Sequence, residues 1–135
     1  MAAIFTFNKQ EKLKSKKLIE SLFANGKSFL VFPVKVMYLP ITETVDFPLK
    51  IGVTASSRNF KKAVDRNRIK RILREQYRLN KLPLHTYVQE NNLQLAVFFM
   101  YIDKSVVTTA VMKKKMPIII NKLIQVLHET NTTPA

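Results

Sequence analysis

The stretch KKAVDRNRIKRILREQYR, residues 61–78, combines a helical pattern with a concentration of arginine. On a helical wheel its apolar residues gather on one side together with one glutamine, and most of its cations lie on the other side. The apolar side consists of Ile69, Ile72, Leu73, Gln76 and Tyr77. We therefore expect an amphipathic helix that packs against a sheet through this side and presents its cations outward.

The residues before this helix carry one helical pattern and three strand patterns. Apolar residues at helical spacing predict a helix over 15–25, with Ser15 as its N-cap and Gly26 as a left-handed C-terminal stop. The segments SFLVF and VKVMYL are rich in β-branched and aromatic residues and are separated by Pro33, so they predict two strands. Apolar residues alternate with other types from Leu49 to Ala55, which predicts a third strand.

The residues after the arginine-rich helix predict one more strand and one more helix. Pro83 ends the helix, because the residue before a proline is disfavoured in helical geometry. The apolar run LQLAVFFMYI, residues 93–102, predicts a strand covered on both faces. We expect the lysines at 113–115 in a solvated loop, and Pro117 at the start of a final helix. The resulting order, α-β-β-β-α-β-α, predicts an α/β fold, a two-layer α+β sandwich.

Composition predicts one folded, soluble domain. With 135 residues the chain is long enough for one core and short for two, so we expect a single domain over 1–135. Residues 1–8 are expected to be flexible or extended, and 130–135 to form a flexible tail. Apolar residues make up 47% of the chain, but no apolar run is long enough to span a membrane. The absence of cysteine and of a secretory leader pattern favours a cytoplasmic location.

The net charge indicates an anionic partner. Lysine and arginine total 23 against 9 acids, a formal charge of +14, for which nucleic acid is the expected partner. All six arginines lie between Arg58 and Arg78, whereas the lysines are spread along the chain. The planar fork of arginine suits bidentate contacts with phosphates and base edges, so this concentration suggests a site. A solvated basic surface or attraction to an acidic membrane is the alternative at this point.

The basic side of the helix works against the helix's own stability. Arg66, Lys70 and Arg74 are spaced four residues apart, and each such pair of like charges costs roughly a few tenths of a kcal/mol in an isolated helix. An anion bound along this side would offset the repulsion. The alternative is an amphipathic helix whose basic side is merely solvated.

The residues of this helix resemble those of a known family. The string AVDRNRIKR, in which Arg66, Asn67 and Arg68 precede Lys70 and Arg71, closely resembles the RNR motif of the bacterial ribonuclease P protein component. The resemblance extends to LKIGVTAS before it, to KLIESLFANGKSF near the N-terminus, and to the strand and helix that follow. It implies the family's fold, an αβ sandwich with a left-handed crossover, of the kind found in a ribosomal protein domain.

The resemblance implies two RNA-binding surfaces. One grips the catalytic RNA subunit and consists of Arg58, Lys61, Lys62, Arg66, Asn67, Arg68, Lys70, Arg71 and Arg74. The other is a cleft between the first helix and one sheet face that receives the single-stranded 5′ leader of precursor tRNA. Phe23, Lys35 and Tyr38 are its candidates, because an aromatic platform and a cation hold an unpaired strand with little sequence demand. Phe23 and Tyr38 could equally be ordinary core residues. The lysines at 113–115 match no motif of the family, and an extra RNA contact is the alternative to a solvated loop for them.

No residues for independent phosphodiester hydrolysis are recognisable. Such a nuclease needs clustered carboxylates for metal ions or a pair of histidines. The nine acids are dispersed, and His85 and His128 are expected to be loop or surface residues. The resemblance implies that this chain contains no catalytic residue and no metal site. The RNA subunit would supply the active site and its magnesium ions, and the protein would assist by positioning the substrate.

We therefore expect the protein subunit of ribonuclease P, a ribonucleoprotein that removes the 5′ leader of precursor tRNA. We expect it to be a monomer without RNA and to bind neither membrane nor duplex DNA. Three alternatives remain. A ribosomal or other non-catalytic RNA-binding protein shares this kind of sandwich. A DNA-binding protein with its helix in the groove is disfavoured by the strand before the helix. A metal-dependent nuclease acting alone is disfavoured by the scattered acids.

Overall fold

The structure is a computed structural model that describes residues 13, 16–41, 49–55, 58–91, 93–105 and 108–132, with side chains as far as Glu129. Its elements are α1 (Lys16–Asn25), β1 (Lys27–Val31), β2 (Val34–Pro40), β3 (Leu49–Ala55), α2 (Ala63–Asn80), α3 (Leu82–Glu90), β4 (Leu95–Tyr101) and α4 (Thr109–Thr132). The predicted N-cap Ser15 and the segment 1–8 lie outside the described residues. The tail predicted for 130–135 is helical as far as Thr132, and 133–135 lie outside as well.

A mixed sheet with the strand order β1-β2-β4-β3 forms the centre of the molecule. β2 pairs with β1 and with β4 in antiparallel fashion, whereas β3 runs parallel to β4. The parallel pair requires a crossover connection, which α2 and α3 provide. β2 and β4 lie inside the sheet and carry apolar side chains on both faces, which accounts for their nearly continuous apolar sequences. The predicted fold class is confirmed.

Alternate strand positions contribute to two cores on opposite faces of the sheet. The larger core packs against α2, α3 and α4 and includes Val97 and Phe99 of β4. The smaller core packs against α1 and includes Leu22 and Met37. Leu30, on the α1 side of β1, is 53% exposed. The helix α1 therefore leaves part of its sheet face open.

The structure contains one helix, α3, that the sequence pattern did not predict. Pro83 does follow the end of α2, but it lies in the first turn of α3, where its missing N–H leaves no helical bond unmade. Leu84 and Val88, four residues apart, are buried and anchor this helix to the larger core. The order of elements is therefore α-β-β-β-α-α-β-α.

The last helix, α4, begins at Thr109 and not at Pro117, so the predicted boundary was wrong. At its start the carbonyl oxygen of Thr108 accepts a hydrogen bond from the N–H of Met112 at 3.2 Å. Met112 and Met116 are fully buried and extend the apolar stripe of the later turns toward the N-terminus. The lysines at 113–115 therefore lie in a helix and not in the predicted loop.

Gly26 ends α1 through close packing and not through a left-handed turn. None of the described glycines has a positive φ, so the predicted left-handed stop was wrong. The N–H of Gly26 donates to the carbonyl oxygen of Leu22 at 2.8 Å, and a Cβ at position 26 would clash with that same oxygen. The position requires glycine because the backbone approaches closely.

The junction of α2 and α3 buries polar side chains. Tyr77 and Lys81 are almost inaccessible, and the Tyr77 hydroxyl lies 3.3 Å from Nε2 of His85. Burial and, to a smaller extent, the charge of Lys81 lower the pKa of His85 to about 4. The prediction that His85 is a loop or surface residue was wrong, because it lies half-buried in α3. His128 is exposed on α4.

Candidate nucleic-acid interface

The inward side of α2 is the one that its sequence pattern predicts. Its buried residues are Ile69, Ile72, Leu73, Gln76 and Tyr77, so that prediction is confirmed. The ring of Tyr77 lies against Phe99 of β4, with centroids 5.7 Å apart. This packing fixes the rotation of α2 about its axis and directs most of its cations away from the sheet.

The residues predicted to bind the catalytic RNA lie together at the beginning of α2 and in the connection before it. The exposed members are Arg58, Lys61, Lys62, Asn67, Arg68 and Arg71, and the half-buried members are Arg66, Lys70 and Arg74. We call these nine residues the α2 basic surface. All nine lie within one connection and the first twelve residues of one helix.

Arg66 binds the protein's own backbone. Its Nη1 donates hydrogen bonds to the carbonyl oxygens of Phe60 at 2.7 Å and of Lys61 at 2.9 Å. These bonds tie the connection between β3 and α2 to the first turn of the helix. Arg66 therefore positions Lys61 and Lys62, and its other N–H groups can still face an anion.

The N-terminus of α2 adds partial positive charge to the same region. Lys62 precedes the helix with an extended backbone, at φ −80° and ψ 126°, and its side chain makes no capping hydrogen bond. Asp65 is the acidic residue of the first turn. The N–H groups of a helix N-terminus and its dipole favour anions. A phosphate beside this turn would interact favourably with the helix end and with the neighbouring cations.

The second predicted surface lies on the other face of the sheet, beside α1. Phe23 of α1 is 49% exposed, and its ring centroid lies 5.7 Å from that of Phe98 on β4. Lys35 is exposed on β2 and pairs across the ladder with Met100, which shares a sheet face with Phe98. The structure therefore places Phe23 and Lys35 on one partly open surface, which we call the α1 cleft.

Phe98 is a member of the α1 cleft that sequence reasoning missed. It is half-buried, and Gly52 lies opposite it on β3, where a Cβ would lie 3.0 Å from two carbons of the Phe98 ring. Gly52 therefore makes room for the ring. Alternate residues of β4 face opposite sides of the sheet, which could have grouped Phe98 with Met100. Because nearly every residue of this run is apolar, the sequence does not show which of the two faces is partly open.

Tyr38 does not lie in the α1 cleft. It points to the opposite face of the sheet, where it is 7% exposed and its ring centroid lies 6.1 Å from that of Phe29. Burial and, secondarily, the charge of Glu129 raise the pKa of its hydroxyl. The expected grouping of Tyr38 with Phe23 and Lys35 is corrected, because side chains three residues apart on a strand face opposite ways.

The two surfaces present cationic and aromatic side chains. Within the described ranges, no cluster of three or more His, Cys, Asp or Glu side chains could hold a metal ion. Among the helices in those ranges, none has the length and apolar character needed to cross a bilayer. Guanidinium and ammonium groups neutralise phosphates, and exposed aromatic rings stack on unpaired bases. Both surfaces therefore present side chains of the kinds that bind phosphates and unpaired bases.

Solved structures share this fold. The RNase P protein of Staphylococcus aureus superposes with a TM-score of 0.65 and 19% sequence identity, over 85% of this chain and 96% of the other. The RNase P protein of Thermotoga maritima superposes with a TM-score of 0.62 and 20% identity, over 83% of this chain and 96% of the other. At these identities the likeness shows the fold alone.

Sequence comparison identifies the family. The ribonuclease P protein component of Porphyromonas gingivalis is 36% identical over 101 residues, which cover 75% of this chain and 74% of that protein. The corresponding protein of Petrotoga mobilis is 34% identical over 111 residues, covering 80% and 91% of the two chains. Residues 7–97 match the sequence profile of the family described as Ribonuclease P. The chain therefore belongs to the ribonuclease P protein family.

Proposed function

We propose that this protein is the subunit of a ribonuclease P holoenzyme that binds the catalytic RNA through the α2 basic surface. The observation that carries the proposal is the concentration of arginine on the outward side of α2, with Arg68 and Arg71 exposed in the second and third turns of the helix. Arginine and lysine neutralise backbone phosphates, and Asn67, also exposed, can both donate and accept hydrogen bonds. Bound RNA would offset the repulsion along Arg66, Lys70 and Arg74.

In this proposal the α1 cleft receives the single-stranded 5′ leader of precursor tRNA. Phe23 and Phe98 supply aromatic faces on which bases can stack, and Lys35 supplies a positive charge for the backbone. Stacking tolerates any base, so such a surface can accept leaders of different sequence. Tyr38 takes no part, because it belongs to the core on the other face.

The chemistry of leader removal belongs, in this proposal, to the RNA. The catalytic RNA would supply the active site and bind the magnesium ions, and no residue of this chain would react. The protein contributes orientation, because holding the leader fixes the scissile phosphate relative to the RNA active site. We further propose that the free protein is a cytoplasmic monomer.

Reconstitution with the cognate catalytic RNA tests the proposal. We expect the protein to stimulate removal of the leader at low magnesium concentration, where the RNA alone is slow. The double variant Arg68→Ala/Arg71→Ala should require more protein for the same stimulation, because it removes two exposed cations from the proposed RNA-binding surface. Absence of stimulation by the wild-type protein at any concentration would reject the proposed function.

The α1 cleft has its own test, in which the affinity of the holoenzyme for precursor tRNA is compared with its affinity for mature tRNA. Phe23→Ala should reduce this difference on the order of tenfold, because stacking contributes roughly 1–3 kcal/mol per base. Tyr38→Phe is the control, since it removes one hydroxyl on the opposite face. An equal effect of both variants, or none of Phe23→Ala, would place the leader elsewhere.

A further inference from the structure

The first half of α4 contains three consecutive lysines that are not part of the α2 basic surface. Lys113 and Lys114 are exposed, and Lys115 is half-buried, within a helix that begins at Thr109. The buried Met112 and Met116 hold this part of α4 against the core. The helix therefore fixes the backbone positions of these lysines, unlike those of cations in a solvated loop.

The topology places the beginning of α4 beside the beginning of α2. β3 and β4 are parallel and in register from Leu49↔Leu95 to Ala55↔Tyr101, so both strands end at the same edge of the sheet. α2 follows β3 and α4 follows β4, and both helices pack on the same sheet face. The N-terminal turns of both helices therefore lie at this edge.

Two contacts join the connections that lead into these helices. Nδ2 of Asn59, in the connection before α2, donates a hydrogen bond to the carbonyl oxygen of Ile102, which follows β4, at 3.3 Å. The ring of Phe60 lies against Tyr101, with centroids 5.9 Å apart. The hydroxyl of Tyr101 in turn donates to the carbonyl oxygen of Ser105. The two connections therefore form one packed unit, which holds both helix beginnings in place.

The charges at this edge are mostly positive. Lys104 is exposed in the connection before α4. The carboxylate of Asp103 accepts hydrogen bonds from the backbone N–H groups of Lys104 at 2.7 Å and Ser105 at 3.4 Å, so it is engaged locally. Asp65 is the other acid of this region, and the described part of α4 has its acidic residue, Glu129, at the opposite end.

We propose that Lys113 and Lys114 form a second contact for backbone phosphates of the catalytic RNA, which continues the α2 basic surface across the sheet edge. This inference rests on the proposed function, because it assigns the same RNA to both helices. The lysines lie at the end of the molecule that presents Arg68, so an RNA strand bound to α2 passes close to α4. Lysine is a point charge without the planar fork of arginine, so this contact reads phosphate position and not base identity.

The first experiment measures the affinity of the full-length protein for the catalytic RNA over a range of salt concentrations. Lys113→Ala/Lys114→Ala should weaken binding by roughly tenfold near 0.15 M salt and lower the salt slope by about 2, because each lost phosphate contact removes about one unit of slope. The control is Lys27→Ala/Lys122→Ala, which removes the same charge from exposed positions away from this edge.

Three results are informative. Loss of slope in the α4 variant alone supports the inference. Equal loss in both double variants means that only the total charge matters, and this overturns the inference without touching the proposed function, provided that Arg68→Ala weakens binding. Failure of the wild-type protein to bind the RNA overturns the proposed function, and the α4 contact with it.

The second experiment uses the absence of cysteine from the chain. A single Lys114→Cys substitution can carry a photo-crosslinker, as can Arg68→Cys and, as control, Lys27→Cys. We expect Lys114→Cys and Arg68→Cys to crosslink to neighbouring parts of the catalytic RNA without precursor tRNA present. Crosslinks from Lys114→Cys only when precursor tRNA is added, and only to that RNA, would overturn the assignment to the catalytic RNA. Wild-type affinity for the catalytic RNA in the variant Lys113→Arg/Lys114→Arg, in contrast to the double alanine variant, would show that positive charge at these positions is sufficient for the contact.

Discussion

At the scale of single residues, the two arginines of the RNR motif differ in their surroundings. Arg66 donates hydrogen bonds to the carbonyl oxygens of Phe60 and Lys61, whereas Arg68, two residues later, is exposed. Helical spacing places Arg66 in line with the buried Leu73 and Tyr77 and places Arg68 outside that arc. Spacing does not show which groups Arg66 binds, because that depends on the path of the connection before α2, which is tertiary structure.

This difference predicts distinct effects of Arg66→Ala and Arg68→Ala. Both should weaken binding of the catalytic RNA and lower its salt dependence, by about one unit of slope each. Arg66→Ala should also lower the free energy of unfolding of the free protein by about 1–2 kcal/mol, because two hydrogen bonds to a charged donor are lost. Arg68→Ala should change it by less than about 0.5 kcal/mol, as expected of an exposed side chain. Urea unfolding of each variant provides the measurement, and equal stabilities would contradict the structural role of Arg66.

The lowered pKa of His85 predicts that the protein loses stability in mild acid. Its pKa is about 4 in the folded protein and ordinarily 6.5, so between these values the unfolded chain binds a proton that the folded chain does not. The free energy of unfolding should therefore fall as the pH falls from 6.5 to 4, and this contribution should be constant above 6.5. The expected loss is on the order of 2 kcal/mol, allowing for partial exposure of the ring.

The variant His85→Gln isolates this effect, because glutamine can still bond to the Tyr77 hydroxyl but does not titrate. Carboxylates also gain protons in this range, so the quantity to compare is the difference between variant and wild type at each pH. That difference should shift in favour of the variant by the expected amount between pH 7 and pH 4.5. Parallel curves for the two proteins would show that His85 is not protected from protonation.

At the scale of elements, the sequence predicts a helix more accurately when its apolar spacing repeats over more turns. α2 has five inward residues at regular spacing, and all five were predicted. α3 has two buried anchors, Leu84 and Val88, and a proline in its first turn, which is too little to distinguish a short helix from a loop. In α4 the lysines at 113–115 and Pro117 suggested that the helix begins at the proline. The helix instead begins earlier and includes both, because Met112 and Met116 are buried against the core.

Pro117 should therefore weaken α4. It lies inside the helix, where it has no N–H to donate to the carbonyl oxygen of Lys113 and its ring crowds the preceding turn. Pro117→Ala restores that donor, and the free energy of unfolding should rise by about 1–2 kcal/mol, less than the full helical penalty of proline because some packing is lost. Ile118→Ala, at an exposed neighbouring position, is the control and should change stability by less than about 0.5 kcal/mol. A less stable Pro117→Ala protein would indicate that α4 has adapted its packing to the proline.

At the scale of the whole molecule, strand order and sheet faces are the features that sequence alone does not determine. β4 lies between β2 and β3 although it is the last strand in the chain, and this order depends on the crossover through α2 and α3.

Tyr38 was assigned to the wrong face of the sheet for a related reason. β2 is covered on both faces, so Met37 and Tyr38 are both buried and no alternation reveals which side chain meets α1. Most cations of α2 escape this ambiguity, because charge marks the outward side of the helix.

The charge of the whole chain predicts that salt acts in opposite directions on folding and on RNA binding. With a formal charge of +14, the free protein repels itself, and the repulsion is screened as the Debye length falls from roughly 30 Å at 0.01 M salt to roughly 8 Å at 0.15 M. The unfolding temperature of the free protein should therefore rise over this range, while its affinity for RNA falls. Lys70→Gln, in the middle of the row formed by Arg66, Lys70 and Arg74, removes two repulsive pairs. It should unfold about 1–2 °C higher than wild type at 0.01 M sodium chloride and by roughly half that margin at 0.15 M, because the paired charges are closer together than one Debye length. Differential scanning calorimetry at both salt concentrations measures this, and a lower unfolding temperature for Lys70→Gln at 0.01 M would mean that the repulsion is already compensated within the protein.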